Sequence, residues 1–251
     1  MEMRSQVYSP LQNTAVWLGA WIYDLVPTEE VIDAFVDLGG THAIDEGGLL
    51  DLLRRVRETV APLVDAPFTE PLITLALSGP GDPRAALRAA GTAEGALIIR
   101  GVDKRVSHAL VPERLDGSTL WTWTEYEGPP SPESHLSPGD ADALLTTATA
   151  EAARMIEATA YSTLAPASLR NPRLTVGTLS DFYDTPGLPH DVPPRAAKLF
   201  ARADRVAAIV ETVQQTMGEH SLDPQLIGLW RHIRGARMAG VSYTLAEFAR
   251  L

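Results

Sequence analysis

The stretch from Leu72 to Gly101, LITLALSGPGDPRAALRAAGTAEGALIIRG, constrains this chain more than any other. It reads as strand, glycine-rich turn, short helix and strand, and two strands joined through a helix are expected to run parallel with a right-handed crossover. A turn that leads from a strand into a helix N-terminus can hold an anion on its exposed N–H groups. Here the turn is Gly79-Pro80-Gly81-Asp82-Pro83. Asp82 before Pro83 reads as a helix N-cap followed by a first-turn proline, so the turn brings its own carboxylate. Pro80 and Pro83 each remove an N–H donor, and the third glycine of a dinucleotide fingerprint is missing. The turn reads as self-capped.

Around this unit the pattern changes from helical to β and back. Ser9-Pro10-Leu11-Gln12 is a capping box with proline at the first helical position. The helix it opens, through about Leu25, is apolar on nearly every side, with Trp17 and Trp21 one turn apart. A second helix starts at Thr28 with Ile32, Phe35 and Val36 inward and stops at Gly39-Gly40. A third runs from about Gly47 to Val60 with Leu49, Leu50, Leu53 and Val56 inward. Four strands follow, at Leu72–Leu77, Ala96–Arg100, Val106–Val111 and Leu120–Tyr126, the middle two close enough for a hairpin. In the last of them Trp121 and Trp123 face one way, Thr122 and Thr124 the other. Beyond a Pro/Ser-rich stretch at 128–139 the chain is mainly helical, with helices expected over 137–162, over Pro194–Met217 and from Asp223 onward. The expectation is an α+β fold, a small mixed β-sheet of about four strands covered by N-terminal and C-terminal helices. One domain over 1–251 is favoured over two lobes, 1–128 and 138–251.

Composition excludes several functions. With 21 basic and 32 acidic residues the net charge is −11, which disfavours nonspecific attraction to nucleic acid or anionic lipid. The chain contains no cysteine, which removes disulfides, thiolate metal sites and thiol catalysis. The apolar run Ala15–Val26 is too short to span a bilayer and lacks a cleavage site after it. A cytoplasmic location is expected, with no nucleic-acid or membrane partner and no cofactor or metal. The chain has no Walker loop, nucleophile elbow or paired-histidine helix.

Three places gather polar residues. Gly39–Glu46 puts His42, Asp45 and Glu46 in what reads as a loop, where Asp45 serves equally well as N-cap of the third helix. The proline-rich segment 165–193 holds Asp184 and His190, and is long enough to be functional. Its apolar residues Leu174, Val176, Leu179, Phe182 and Leu188 favour a packed strut over a lid. On the last helix Arg231, Arg234 and Arg237 recur every three residues. They suit an anionic ligand held bidentately, or pairing with Asp204 and Glu211 of the preceding helix.

AVWLGAWIYDLVPTEEVIDAF-DLGGTHA near the N-terminus, the SGPGDP turn, and DPQLIGLWRHIRGARMAGVSYTLAE near the C-terminus together resemble a family of uncharacterised proteins from high-GC Gram-positive (actinobacterial) bacteria. The resemblance covers most of the chain and implies no known activity.

Two functions follow from these residues. The first is a non-enzymatic protein acting through protein contacts as a homodimer. Its surfaces would be the Trp17/Trp21 helix and the small-residue stretch Gly235, Ala236, Ala239 and Gly240. The second is an enzyme or binder of a small anionic metabolite under the 165–193 loop, using His42, Asp45, Glu46, Asp184, His190, Arg231 and Arg234. That second function requires His42, His190 and Arg234 to share one face.

Overall fold

In the computed structural model, the residues described are 10–66, 70–79, 85–92, 95–128, 136–160, 187–217 and 223–251, without the side chains of 85, 155–160, 212–217 and 223–226. The elements in chain order are α1 (Pro10–Ile22), α2 (Thr28–Gly39), β1 (Thr41–Ile44), β2 (Gly47–Gly48), α3 (Leu49–Val64), β3 (Ile73–Leu77), α4 (Ala85–Ala89), β4 (Gly95–Arg100), β5 (Val106–Leu115), β6 (Ser118–Glu127), α5 (Pro138–Ala160), α6 (Pro194–Met217) and α7 (Asp223–Phe248). Helix and sheet are mixed as expected. The sheet, however, has six strands in the order β2-β1-β6-β5-β4-β3 rather than about four.

The two extra strands come from the segment read as a loop. Thr41–Ile44 pairs in parallel with β6 and antiparallel with Gly47–Gly48 across the two-residue turn Asp45-Glu46. Asp45 sits at φ 50, the left-handed conformation that such a tight hairpin turn demands. Asp45 is therefore not the N-cap of α3. That place belongs to Gly48, whose N–H donates to the Asp51 carboxylate at 3.0 Å.

A second correction concerns β3 and β4, which are antiparallel, Leu75 opposite Leu97. The helix between them has five residues, about 7.5 Å at 1.5 Å each. The five-residue strand β3 covers about 17 Å. So short a helix cannot carry the chain back along the strand, and it re-enters the sheet from the same end.

Alternation divides the sheet into two faces. Ile44, Ile73, Leu75, Leu97, Ile99, Leu110 and Trp121 point into the main core with α1, α3 and the C-terminal part of α7. Trp123 packs on the same core from the same face. Ala76, Ala96, Ile98 and Ala109 point outward and meet Ala86, Leu87 and Ala90 of α4 and its end. A third cluster joins α5, α6 and α7 through Leu145, Leu199, Ala203, Val210, Ile233 and Ala236. The last helix thus packs on α5, α6, α1 and β3.

Helix phases differ by a step from the expected stripes. In α2 the buried residues are Val31, Ala34, Phe35 and Leu38, leaving Val36 50% exposed. In α3 they are Leu52, Leu53, Val56 and Val60, leaving Leu50 57% exposed.

Candidate functional site

The polar residues singled out in the sequence do not converge. His42 is buried between Phe35 and Trp121. Its Nε2–H donates to the Phe35 carbonyl at 2.7 Å, and its Nδ1 accepts from the Trp121 indole at 2.8 Å. Both ring nitrogens are used, and burial, with Arg114 nearby, holds its pKa below the usual range. This histidine belongs to the core. Asp45 and Glu46 are exposed in the hairpin turn, where Asp45 accepts from Arg55 at 2.9 Å. His190 lies fully exposed beside Asp191, and Asp184 lies outside the described residues, as does most of the 165–193 segment. Its described end is packed: Gly187 accepts from the Trp17 indole at 3.1 Å, and Leu188 rests on the main core.

Arg231 is exposed, whereas Arg234 and Arg237 are buried. Arg234 lies against Gly79, where the glycine-rich turn begins. A Cβ on Gly79 would stand 2.4 Å from its Nη1, so Gly79 leaves the room that the guanidinium fills. Gly79 follows the edge strand β3, and His42 sits on β1, four places away in the sheet order, roughly 19 Å at the usual strand spacing. His42 and Arg234 cannot serve one small ligand.

Arg237 donates to Asp204 of α6 at 2.8 Å, the helix-to-helix pairing that the arginine spacing allowed. Glu211 lies two turns further along α6 and is 3% exposed. Neither of its oxygens has a hydrogen-bond partner among the described residues. Burial pushes the Glu211 carboxyl up to about 7, against a weaker opposing pull from Arg237. Sequence reasoning named this residue only as a partner. Its burial was legible in the α6 stripe, which runs Ala203, Val206, Val210 and includes position 211 on its flank.

The surfaces expected to hold a second copy are filled from within the chain. A Cβ at Gly240 would stand 2.3 Å from the Phe200 ring, and one at Gly19 would meet Leu245. Ala236 and Ala239 are buried against α5 and α6, and Trp21 is buried, its indole donating to Thr28 at 3.0 Å.

The open surface lies elsewhere. On the outer face of the sheet α4 covers β3 and β4, and the buried cluster there takes no residue from any other helix. Ser107 and Ala109 of β5 also point outward but are buried, and Val111 and Tyr126 pack on the α4 cluster; beyond them the outward positions of β5, β6 and β1 include Glu113, Leu115, Leu120, Thr122, Thr124 and Ala43, by the register of these strands. None of the latter is buried, and Leu115 is 54% exposed.

Among the described residues, no group of three or more His, Asp or Glu could hold a metal ion, and no helix is long and apolar enough to cross a membrane. The chain belongs to the Rv1486c-like protein family. Residues 12–136 match the model of its N-terminal domain and residues 139–238 that of its C-terminal domain. The junction falls beside Ser137, whose hydroxyl accepts from the Asp140 N–H at 3.1 Å at the start of α5. No curated protein and no solved structure matches the chain.

Proposed function

We propose that this protein is a non-enzymatic, cytoplasmic contact protein of actinobacterial origin that works as a homodimer, through the outer face of β5, β6 and β1. One observation carries the reading. Half of the sheet's outer face is left without a helix over it among the described residues, while its inner face and the facing sides of α5, α6 and α7 are packed within the chain. An uncovered sheet face of Thr and Leu is the kind of surface that a partner covers.

A second copy is the occupant that the charge distribution favours. The chain carries a net charge of −11, so two copies repel one another over most orientations. The open half-face carries Glu113 as its single charged position, so a twofold contact there brings few like charges together.

Light scattering of the purified chain at about 50 μM, a concentration above ordinary dimer dissociation constants, is the test. Twice the 27.1 kDa chain mass is expected. Thr122→Arg, with Leu120→Asp as an independent second variant, is expected to return the mass of a single chain with an unchanged melting curve. A wild-type mass of one chain, or variants that stay dimeric, would remove this reading.

A further inference from the structure

The β5–β6 ladder sets His108 opposite Glu125, one same-face step beyond the pair Leu110 and Trp123. Leu110 is buried in the main core and Trp123 packs on it, so His108 and Glu125 sit where the inner face gives way to solvent. The histidine side chain is 15% exposed and the glutamate 66%. The imidazole lies 5.3 Å from the Trp123 ring, tilted by 37°. Arg55 of α3 stands 4.8 Å from the centre of a Trp123 ring and is tied to Asp45 at 2.9 Å. A Cβ at Gly101 would fall 3.1 Å from His108 Nε2, so the imidazole is closely backed on that side. Its Nδ1 is buried and has no hydrogen-bond partner among the described residues. A Glu125 carboxylate oxygen stands 3.7 Å away, beyond the about 3.2 Å of a hydrogen bond. A neutral imidazole with its proton on Nε2 turns a lone pair toward that carboxylate, and two acceptors do not close on one another.

We infer that His108 and Glu125 form a proton-operated clasp at the end of the β5–β6 ladder, open while the imidazole is neutral and closed when Nδ1 carries a proton. The proton comes from solvent, and nothing else is transferred. Protonated Nδ1 donates to the Glu125 carboxylate, and the separation shortens to about 2.8 Å. Glu125 makes the movement, because it is exposed whereas the imidazole is held between Trp123 and Gly101. The other charged groups around the ring are Arg55 of α3, Glu127 of β6, opposite Val106, and Arg100 of β4, opposite Ser107. Burial lowers the histidine from its usual range, Glu125 opposes that shift and Arg55 adds to it, so the clasp closes below pH 6.5. It sits beside the end of β6, where the Gly128 N–H donates to the Arg105 carbonyl at 2.7 Å and the Gly128 carbonyl accepts from the Ser107 hydroxyl at 2.8 Å. Closure therefore ties down the strand end from which the chain leaves for the C-terminal domain. The clasp lies on the inner face, so it stands whether or not the outer face holds a second copy.

Imidazole NMR on the full chain tests it, with the His108 signal assigned by its loss in His108→Asn. In the wild type the ring is expected to titrate below 6.5. The Trp123 indole N–H, assigned by its loss in Trp123→Phe, is expected to shift with the same midpoint. Glu125→Gln is expected to lower the His108 midpoint by about 0.5 pH unit, roughly a threefold loss of proton affinity. Glu127→Gln is the control for loss of a nearby negative charge, and is expected to move the midpoint by less than about 0.2 unit. Both glutamates are exposed, so neither variant disturbs the fold. A His108 midpoint unmoved by Glu125→Gln, one moved as far by Glu127→Gln, or a Trp123 signal that does not follow His108 would each overturn the clasp.

Discussion

The Trp121 indole N–H donates to Nδ1 of His42 at 2.8 Å, and this bond fixes which ring nitrogen carries the proton. With Nδ1 accepting, Nε2 keeps its hydrogen for the Phe35 carbonyl. One neutral imidazole thereby ties β1 to both β6 and α2. His42→Ala leaves a buried indole N–H and a buried carbonyl without partners, a loss of about 3 kcal/mol. Urea unfolding followed by tryptophan fluorescence measures it. A loss below about 1 kcal/mol would place this histidine among ordinary surface substitutions.

Gly40 makes a sharper case. It ends α2 at φ 72, and a Cβ there would fall 2.1 Å from the Gly117 carbonyl oxygen, a backbone atom that cannot step aside. Gly40→Ala is expected to cost more than about 3 kcal/mol, combining left-handed strain with a displaced β5–β6 turn. Gly91→Ala is the control, since it has φ +75 with nothing within 4 Å of the added carbon. Strain alone operates there, about 1 kcal/mol. Comparing the two melting temperatures separates steric clash from backbone conformation.

The contrast between the β1–β2 hairpin and the α6–α7 pair shows what the residues alone disclose. Long helices with a clear stripe were legible: Pro194–Met217 has the bounds that its periodicity gives, and Arg237 meets Asp204 as the spacing allowed. The hairpin was not, because a four-residue strand and a two-residue turn between glycine pairs carry too little pattern to outweigh a loop reading. Its signals were the alternation of His42 and Ile44 with Thr41 and Ala43, and the two-residue turn before Gly47. The direction of β4 depended on a length comparison between α4 and β3, which the strand–helix–strand pattern conceals. Among the described residues assembled for an anionic ligand, Arg234 lies against Gly79, where the glycine-rich turn begins. Sequence proximity to a loop says nothing about which edge of the sheet that loop serves.

Arg57 staples α3 to the end of α1. Its Nη2 donates to the Trp21 carbonyl at 2.7 Å and its Nη1 to Asp24 at 3.0 Å, while the guanidinium lies 4.0 Å from the centre of the Trp21 ring. The ion pair is solvent-exposed and contributes little. The carbonyl bond and the ring contact contribute more, about 1 kcal/mol each. Arg57→Lys keeps the charge but loses the planar fork, so it is expected to recover less than half of the roughly 2 kcal/mol lost in Arg57→Ala. Full recovery by lysine in a denaturation series would show that charge alone matters here.

Two buried groups give stability opposite dependences on pH. Glu211 has its folded pKa raised from 4.5 to about 7, so the folded state binds its proton more tightly than the unfolded chain. Its contribution is fully present below 4.5 and is lost as pH rises from there through about 7. His42 is displaced the other way, its folded pKa lying below 6.5, so its contribution is present above 6.5 and fades as pH falls below that value. At pH 7.5 the His42 contribution is intact and the Glu211 penalty is complete. Glu211→Gln removes the buried charge and is expected to stabilise the protein there by about 2 kcal/mol, within the roughly 3 kcal/mol that 1.36 kcal/mol per pH unit allows. At pH 4.5 the same variant is expected to match the wild type within about 0.5 kcal/mol, the spread of a neutral substitution. Guanidinium unfolding of both proteins at the two pH values decides the matter. A glutamine variant less stable than wild type at pH 7.5 would mean that the Glu211 anion is stabilised by the fold and not penalised by it.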